Sequence, residues 1–190
     1  MAADHSNNSM IASLSLTDEQ LWLKWQQGDR TALETILVRY EDRLVRIAYR
    51  ITGCRHESED IRHTVLVRFL QSTREVRHVE AWLTRCTLNE AINRARQKGR
   101  ESRALATLGQ SSPVLDVSSP LQQLQYDEVG DKLGSALAQL TPDDRALLTL
   151  RFDEDLTFRQ IADVLEKPQS TVKSQLTSVI SRLRALLGME

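Results

Sequence analysis

Apolar positions along the middle of the chain recur at intervals of three and four. From Arg30 to about Thr52, Leu33, Ile36, Leu37, Tyr40, Leu44, Ile47, Ala48 and Ile51 fall on one stripe, which predicts a long amphipathic helix ended by Gly53. Upstream, Thr17 or Asp18 can cap a short helix with Leu21, Trp22 and Trp25 on one face. Gly28-Asp29 then reads as a stop followed by a new cap. Downstream, a helix over about Glu57–Ser72 turns Ile61, Val65, Phe69 and Leu70 toward the same core. A polar, basic loop, Ser72–His78, leads to a third helix starting near Val79. It points Val79, Leu83 and Cys86 one way and crowds Arg94, Arg96, Lys98 and Arg100 at its far end.

The period lapses between Ala104 and Pro120. Gly109, Ser111, Ser112, Pro113, Ser118, Ser119 and Pro120 mark this stretch as a linker. Its 17 residues reach at most roughly 56–61 Å when extended, the length of about 16–18 base pairs. Helical patterning resumes at about Leu121–Leu140, burying Val129, Leu133, Leu137 and Leu140. Thr141 then caps a helix with Pro142 at its first position, and Thr157 with Gln160 forms a capping box. A final helix over about Ser170–Leu187 turns Val172, Leu176, Val179, Ile180 and Leu183 inward. The expected architecture is all-α: two helical domains joined by a flexible linker, the C-terminal one a helix-turn-helix. The boundaries are a disordered tail over 1–16, a domain over 17–103, the linker over 104–120 and a domain over 121–190.

Composition supports helices and adds one asymmetry. Seven Gly and four Pro among 190 residues leave long stretches without a breaker. The net charge of −1 conceals −2 over residues 1–31, +5 over 32–103 and −4 over 104–190. A basic middle segment suits a polyanion such as nucleic acid, and a solvated helical face explains it about as well. Cys54 and Cys86 stand apart with no CxxC pairing, which favours a reducing compartment over a disulfide framework. The polar N-terminus reads as no signal peptide, no run is apolar enough to span a bilayer, and the expected location is cytoplasmic.

Two motifs carry candidate chemistry. In TFRQIADVLEKPQSTVKSQLTSVISRL, a short helix, a tight turn and a helix opening Ser-Thr-Val-Lys follow the layout of a helix-turn-helix. The first helix braces the second, whose N-terminal side chains reach base edges and phosphates in the major groove. Ala162 is small where the helices approach, Val172 anchors from within, and Ser170, Thr171, Lys173, Ser174 and Gln175 remain as outward contacts. A plain helical hairpin with a polar face would show the same period. The second motif, EAWLTRCTLNEAINRAR, interleaves aromatic and amide side chains with arginine, as single-stranded nucleic acid requires. Trp82, Asn89, Asn93, Arg94 and Arg96 are its candidates. The alternative places Trp82 in the core and the arginines on a solvated face.

The order EDIRHTVLVRFL, AWLTRCTLNEAINRAR, a linker, ALAQLTPDDRALLTLRF and FRQIADVL…STVKSQL resembles the extracytoplasmic-function sigma factors of the sigma-70 family, over roughly Ala32 to Leu187. The resemblance implies a non-enzymatic subunit that binds core RNA polymerase and directs promoter recognition and DNA melting. It implies that Asp60, Ile61, His63 and Phe69 dock on the polymerase clamp. The loop Ser72–His78, with Arg74, Arg77 and His78, and the helix bearing Trp82, Asn89, Asn93, Arg94 and Arg96 would capture the unwound −10 strand. Ser170, Thr171, Lys173, Ser174 and Gln175 would read the −35 duplex. Promoter DNA, core polymerase and an anti-sigma factor are the implied partners, with no cofactor. This chain departs from the family at Asp60-Ile61-Arg62-His63-Thr64, at Gln160, and at Gln175, Ser178 and Ile180 where arginines are common. Fewer phosphate-facing cations predict a weaker salt-dependent share of DNA affinity. These losses also favour a second reading, a sigma-like regulator or mimic acting through protein partners. A zinc or catalytic site built on Cys54, His56, His63 and Cys86 lacks the HxE and CxxC spacings such sites use.

Overall fold

A computed structural model describes residues 15–72, 76, 78–107 and 128–189. Helix α1 spans Asp18–Gln26, α2 Arg30–Thr52, α3 Arg55–Leu70 and α4 Val79–Thr107. After the linker come α5 (Glu128–Ala138), α6 (Pro142–Leu148) continuing into a π-helical turn (Thr149–Asp153), α7 (Phe158–Leu165) and α8 (Gln169–Leu187). The first four make an N-terminal bundle and the rest a smaller C-terminal one.

Local signals set the helix ends. Thr17 accepts from the Gln20 amide while the Gln20 side chain accepts from the Thr17 amide, closing a capping box at α1. Asp29 caps α2 by accepting from the amides of Thr31 and Ala32. The Thr31 hydroxyl donates to the same carboxylate at 2.6 Å and, more than the amides, holds the Asp29 pKa below its ordinary value. Gly53 ends α2 in the left-handed region, φ 69°, where a side chain would be strained. Thr141 caps α6 ahead of Pro142, and Thr157 and Gln160 close a second capping box at α7.

The core of the N-terminal bundle lies around α2, which packs on α1, α3 and α4. Ile36, Tyr40, Leu44, Ile47, Ala48 and Ile51 are buried, as are Ile61, Val65 and Phe69 from α3 and Val79 and Leu83 from α4. Trp22, Phe69 and Trp82 form a chain of tilted rings with centroids 4.5 and 5.5 Å apart. Such contacts add packing energy beyond the area they bury. Leu70, expected in this core, is 40% exposed: it follows Phe69 by one residue and so turns about 100° away from the buried stripe. Cys86 is half-buried and free, and burial pushes its thiol pKa up.

In the C-terminal bundle Leu150, Ile161, Val172, Leu176 and Val179 are buried. Leu140 and Ala136 close one side, whereas Leu133 on α5 is 40% exposed, contrary to its expected inward placement. Among the described helices, α8 is the one that α5 packs on extensively, and Leu133 lies away from that contact. Residues 1–14 and 108–127 lie outside the described residues. With them lie all but the last two residues of the expected tail (Leu16 packs against the core and its carbonyl accepts from Arg39), most of the linker, and the start predicted at Leu121 for the helix described from Glu128. Helix α4 continues through Thr107, past Ala104 where the linker was expected to begin.

The two bundles touch. Helix α6 packs on α2 and α4, α7 packs on α4, and the π-helical turn meets α2. Their buried residues form one continuous apolar cluster. No described helix is long and apolar enough to cross a membrane.

Candidate nucleic-acid and polymerase interfaces

The C-terminal motif folds as a helix-turn-helix. Helix α7 ends where Glu166 takes the left-handed conformation, φ 53°, and α8 begins two residues after Lys167. Ala162 is buried at the contact between the helices, and Val172, Leu176 and Val179 hold α8 from within. The complementary face carries Ser170, Lys173, Ser174 and Gln175, all exposed, with Thr171 half-buried. The Lys173 ammonium lies 5.6 Å from the centre of the Phe158 ring, and the Arg151 guanidinium 5.5 Å from it. The π-system of the one ring attracts both cations. The Ser174 hydroxyl donates to the Thr171 carbonyl, and Lys167 donates to Gln175 at 3.3 Å. Pro168 precedes α8 and offers no side-chain acceptor to its first turn, so those amides remain for water or an anion.

On α4, Asn89 and Asn93 are exposed at a spacing that puts them on one face. Trp82 is half-buried at the rim of the core against Phe69: one part of the ring packs and the rest is open. Arg94 is half-buried and paired, 3.3 Å from Glu90 and 3.7 Å from Asp60. Arg96 is half-exposed and donates to both carboxylate oxygens of Asp143 at 2.8 Å. His78 is exposed, 4.0 Å from Glu19. Arg74 and Arg77 lie outside the described residues.

The four residues expected to meet polymerase divide into two pairs. Asp60 and His63 are exposed on α3; Asp60 lies near His56 and Arg94. Ile61 and Phe69 are fully enclosed in the core and have no surface to offer a partner. Their spacing explains the placement: 61, 65 and 69 recur every four residues and share one helix face with the buried Val65.

Sequence reasoning did not single out Arg43, Arg50 or Arg85. Arg43 donates to Glu80 at 2.7 Å and to Glu154 across the bundle contact. Burial works to lower its pKa, but the bonds to Glu154 and Glu80 outweigh that and raise it. Arg50 lies 3.2 Å from Asp153. Arg85 pairs with Glu166 and donates to the carbonyls of Val164 at 3.0 Å and Asp163 at 2.9 Å. The charge split between segments was the one sequence signal that pointed toward them. Among the described residues, no group of three or more His, Cys, Asp or Glu side chains could hold a metal.

Residues 36–101 match the family model for sigma-70 region 2, and residues 136–185 the model for sigma-70 region 4. The chain belongs to the sigma-70 family, as an extracytoplasmic-function sigma factor. Region 2 thus covers most of α2, with α3 and most of α4, and region 4 covers the helices from the end of α5 to α8. The chain is similar to the RNA polymerase sigma-H factor of Pseudomonas aeruginosa, 25% identical over 84% of this chain and 88% of that protein. It is 30% identical to the extracytoplasmic-function sigma factor SigE of Mycolicibacterium smegmatis, over 85% of this chain and 65% of that one. In fold it resembles the sigma factor RpoE solved with the anti-sigma factor NepR from Bartonella quintana, with a TM-score of 0.63 and 21% identity over 83% of this chain and 97% of that chain. It also resembles CnrH solved with the cytosolic domain of CnrY, with a TM-score of 0.61 and 20% identity over 90% and 97%. Sigma factors of this family are not enzymes.

Proposed function

We propose that this sigma factor binds core RNA polymerase in the bacterial cytoplasm, directs it to promoters and opens the DNA for initiation. The observation that carries the reading is the presence of regions 2 and 4 on one chain, with a bare polar face on the recognition helix α8. Asp60 and His63 are the polymerase-facing residues, and Ile61 and Phe69 act by holding α3 rigid beneath them. Asn89, Asn93, Arg94 and Arg96, with Trp82 at the core's edge, form the strand-contacting face of α4; Arg74, Arg77 and His78 belong to the loop before it. An extruded base can stack on a half-open ring such as that of Trp82, and arginines can track the phosphates. Ser170, Thr171, Lys173, Ser174 and Gln175 address the −35 duplex, with Lys173 as the phosphate contact. An anti-sigma factor is the expected protein partner, since the structural relative RpoE was solved with the anti-sigma factor NepR.

The deciding experiment mixes the purified chain with core polymerase and a promoter library and sequences the transcripts. Start sites sharing two spaced elements are expected. A chain that binds an anti-sigma domain but yields no specific transcript or open complex is instead a mimic. The scarcity of arginine on the exposed face of α8 is what keeps that second reading in view.

A further inference from the structure

Helix α8 has few cations to offer a phosphate. Over its first two turns, residues 169–176, Lys173 is the one basic side chain. Further along, Arg182 is paired with Asp144 at 2.5 Å. The placement of Lys173 therefore decides much of what this face can do. Lysine carries its charge on a long flexible stem and has more rotamer freedom to lose on contact than most side chains. The Lys173 ammonium lies 5.6 Å from the centre of the Phe158 ring, within the roughly 6 Å over which a ring attracts a cation. Phe158 is a firm support. It is the first residue of α7, fixed by the capping box of Thr157 and Gln160, and its half-buried side chain packs against the core. The same ring meets Arg151 at 5.5 Å, and that guanidinium also donates to the Leu156 carbonyl at 3.0 Å.

We infer that Phe158 is a positioning residue for duplex recognition: its ring holds the Lys173 ammonium beside the outward face of α8, ready for a phosphate. The inference rests on the proposed reading of Lys173 as the −35 phosphate contact. A ring suits this task better than a carboxylate. A carboxylate would cancel the charge, whereas an ammonium over a ring keeps its charge and the N–H donors that point away from the ring. Holding the stem beforehand also removes part of the ordering cost that binding would otherwise carry. Two cations gathered on one ring repel each other, and among the described residues neither has a carboxylate partner. An anion brought beside them relieves that repulsion, and the duplex backbone supplies one. A Phe158 that served the core alone would leave the contribution of Lys173 untouched.

The test is a double-mutant cycle in the full chain, read with a labelled duplex of mixed sequence across a salt series. Lys173→Met keeps an unbranched stem and removes the charge; Phe158→Leu keeps apolar bulk and removes the ring. Phe158→Leu should weaken duplex binding about two- to fivefold in the parent chain and leave it unchanged in the Lys173→Met background. A proton magnetic-resonance spectrum of the parent chain gives a second reading that needs no variant at Phe158 to fold. The Lys173 ε-methylene signal, identified as the one lost in Lys173→Met, should be shifted upfield of the other lysines by the ring current. No loss from Phe158→Leu in the parent chain, an equal loss in both backgrounds, or an ε-methylene signal at the ordinary lysine position overturns the inference alone. If Lys173→Met changes neither the duplex affinity nor its salt slope, or the parent chain binds no duplex, the reading of Lys173 as a phosphate contact fails and the inference with it.

Discussion

Region 2 and region 4 are both helical, yet they secure their helices differently. In region 2 the 23-residue α2 packs against three other helices, and Phe69, Ile36, Leu44, Ile47, Ile51, Ile61 and Leu83 are wholly enclosed. In region 4 only Leu150 and Ile161 join the largest fully enclosed side chains, and several helices are short. Short helices are marginal alone. Region 4 therefore depends on caps at Thr141 and Thr157 and on the apolar cluster it shares with region 2. The chain thus has one self-sufficient region and one that gains support from its neighbour.

The comparison can be broken most forcefully at Phe69. Phe69→Ala removes the ring between Trp22 and Trp82 and should cost about 3–5 kcal/mol. Chemical denaturation should show both regions weakened, because region 4 loses the surface it leans on. Ile161→Ala should cost about 2–5 kcal/mol but act on region 4, leaving an upper transition for region 2 in place. A single shared transition for this variant would show that the regions fold as one unit.

Thr157→Ala deletes the acceptor for the Gln160 amide and should cost about 1 kcal/mol, read as a lower thermal midpoint. Lys173→Ala should weaken duplex binding and lower the slope of log affinity against log salt by about 1. An unchanged slope would remove Lys173 from the phosphate contacts. The smallest effect concerns pH. Asp29 has a lowered pKa in the folded protein, so its contribution is complete above the ordinary value of 3.8 and is lost as pH falls through the lower folded value. Asp29→Asn should keep the cap and flatten that part of the acid stability profile.

The local devices were legible in the sequence because their physics is local. Thr17, Asp29, Gly53, Thr141 and Thr157 end or begin helices through bonds within a few residues, and each does so where the pattern places it. Periodicity identified the inward stripe of α2 but could not say which neighbour covers the margin of a stripe. Leu70 and Leu133 are such margins. The outward face of α8 was readable as the complement of Val172, Leu176 and Val179. The burial of Ile61 and Phe69 is readable too, since they share the four-residue period of Val65, although likeness to a family motif implies a surface role for both. The cross-bundle partners of Arg43, Arg50 and Arg85 lie about 80–110 residues away, and no short-range pattern links charges at that separation.

The ring chain of Trp22, Phe69 and Trp82 has a spectroscopic consequence. With Trp25, these account for all three tryptophans of the protein, and none lies in region 4. Intrinsic emission excited at the indole band is therefore a one-domain signal. Set beside far-ultraviolet dichroism, which sees every helix, it separates the melting of the two regions without a label, and quenching by a stacked base would register at Trp82 first.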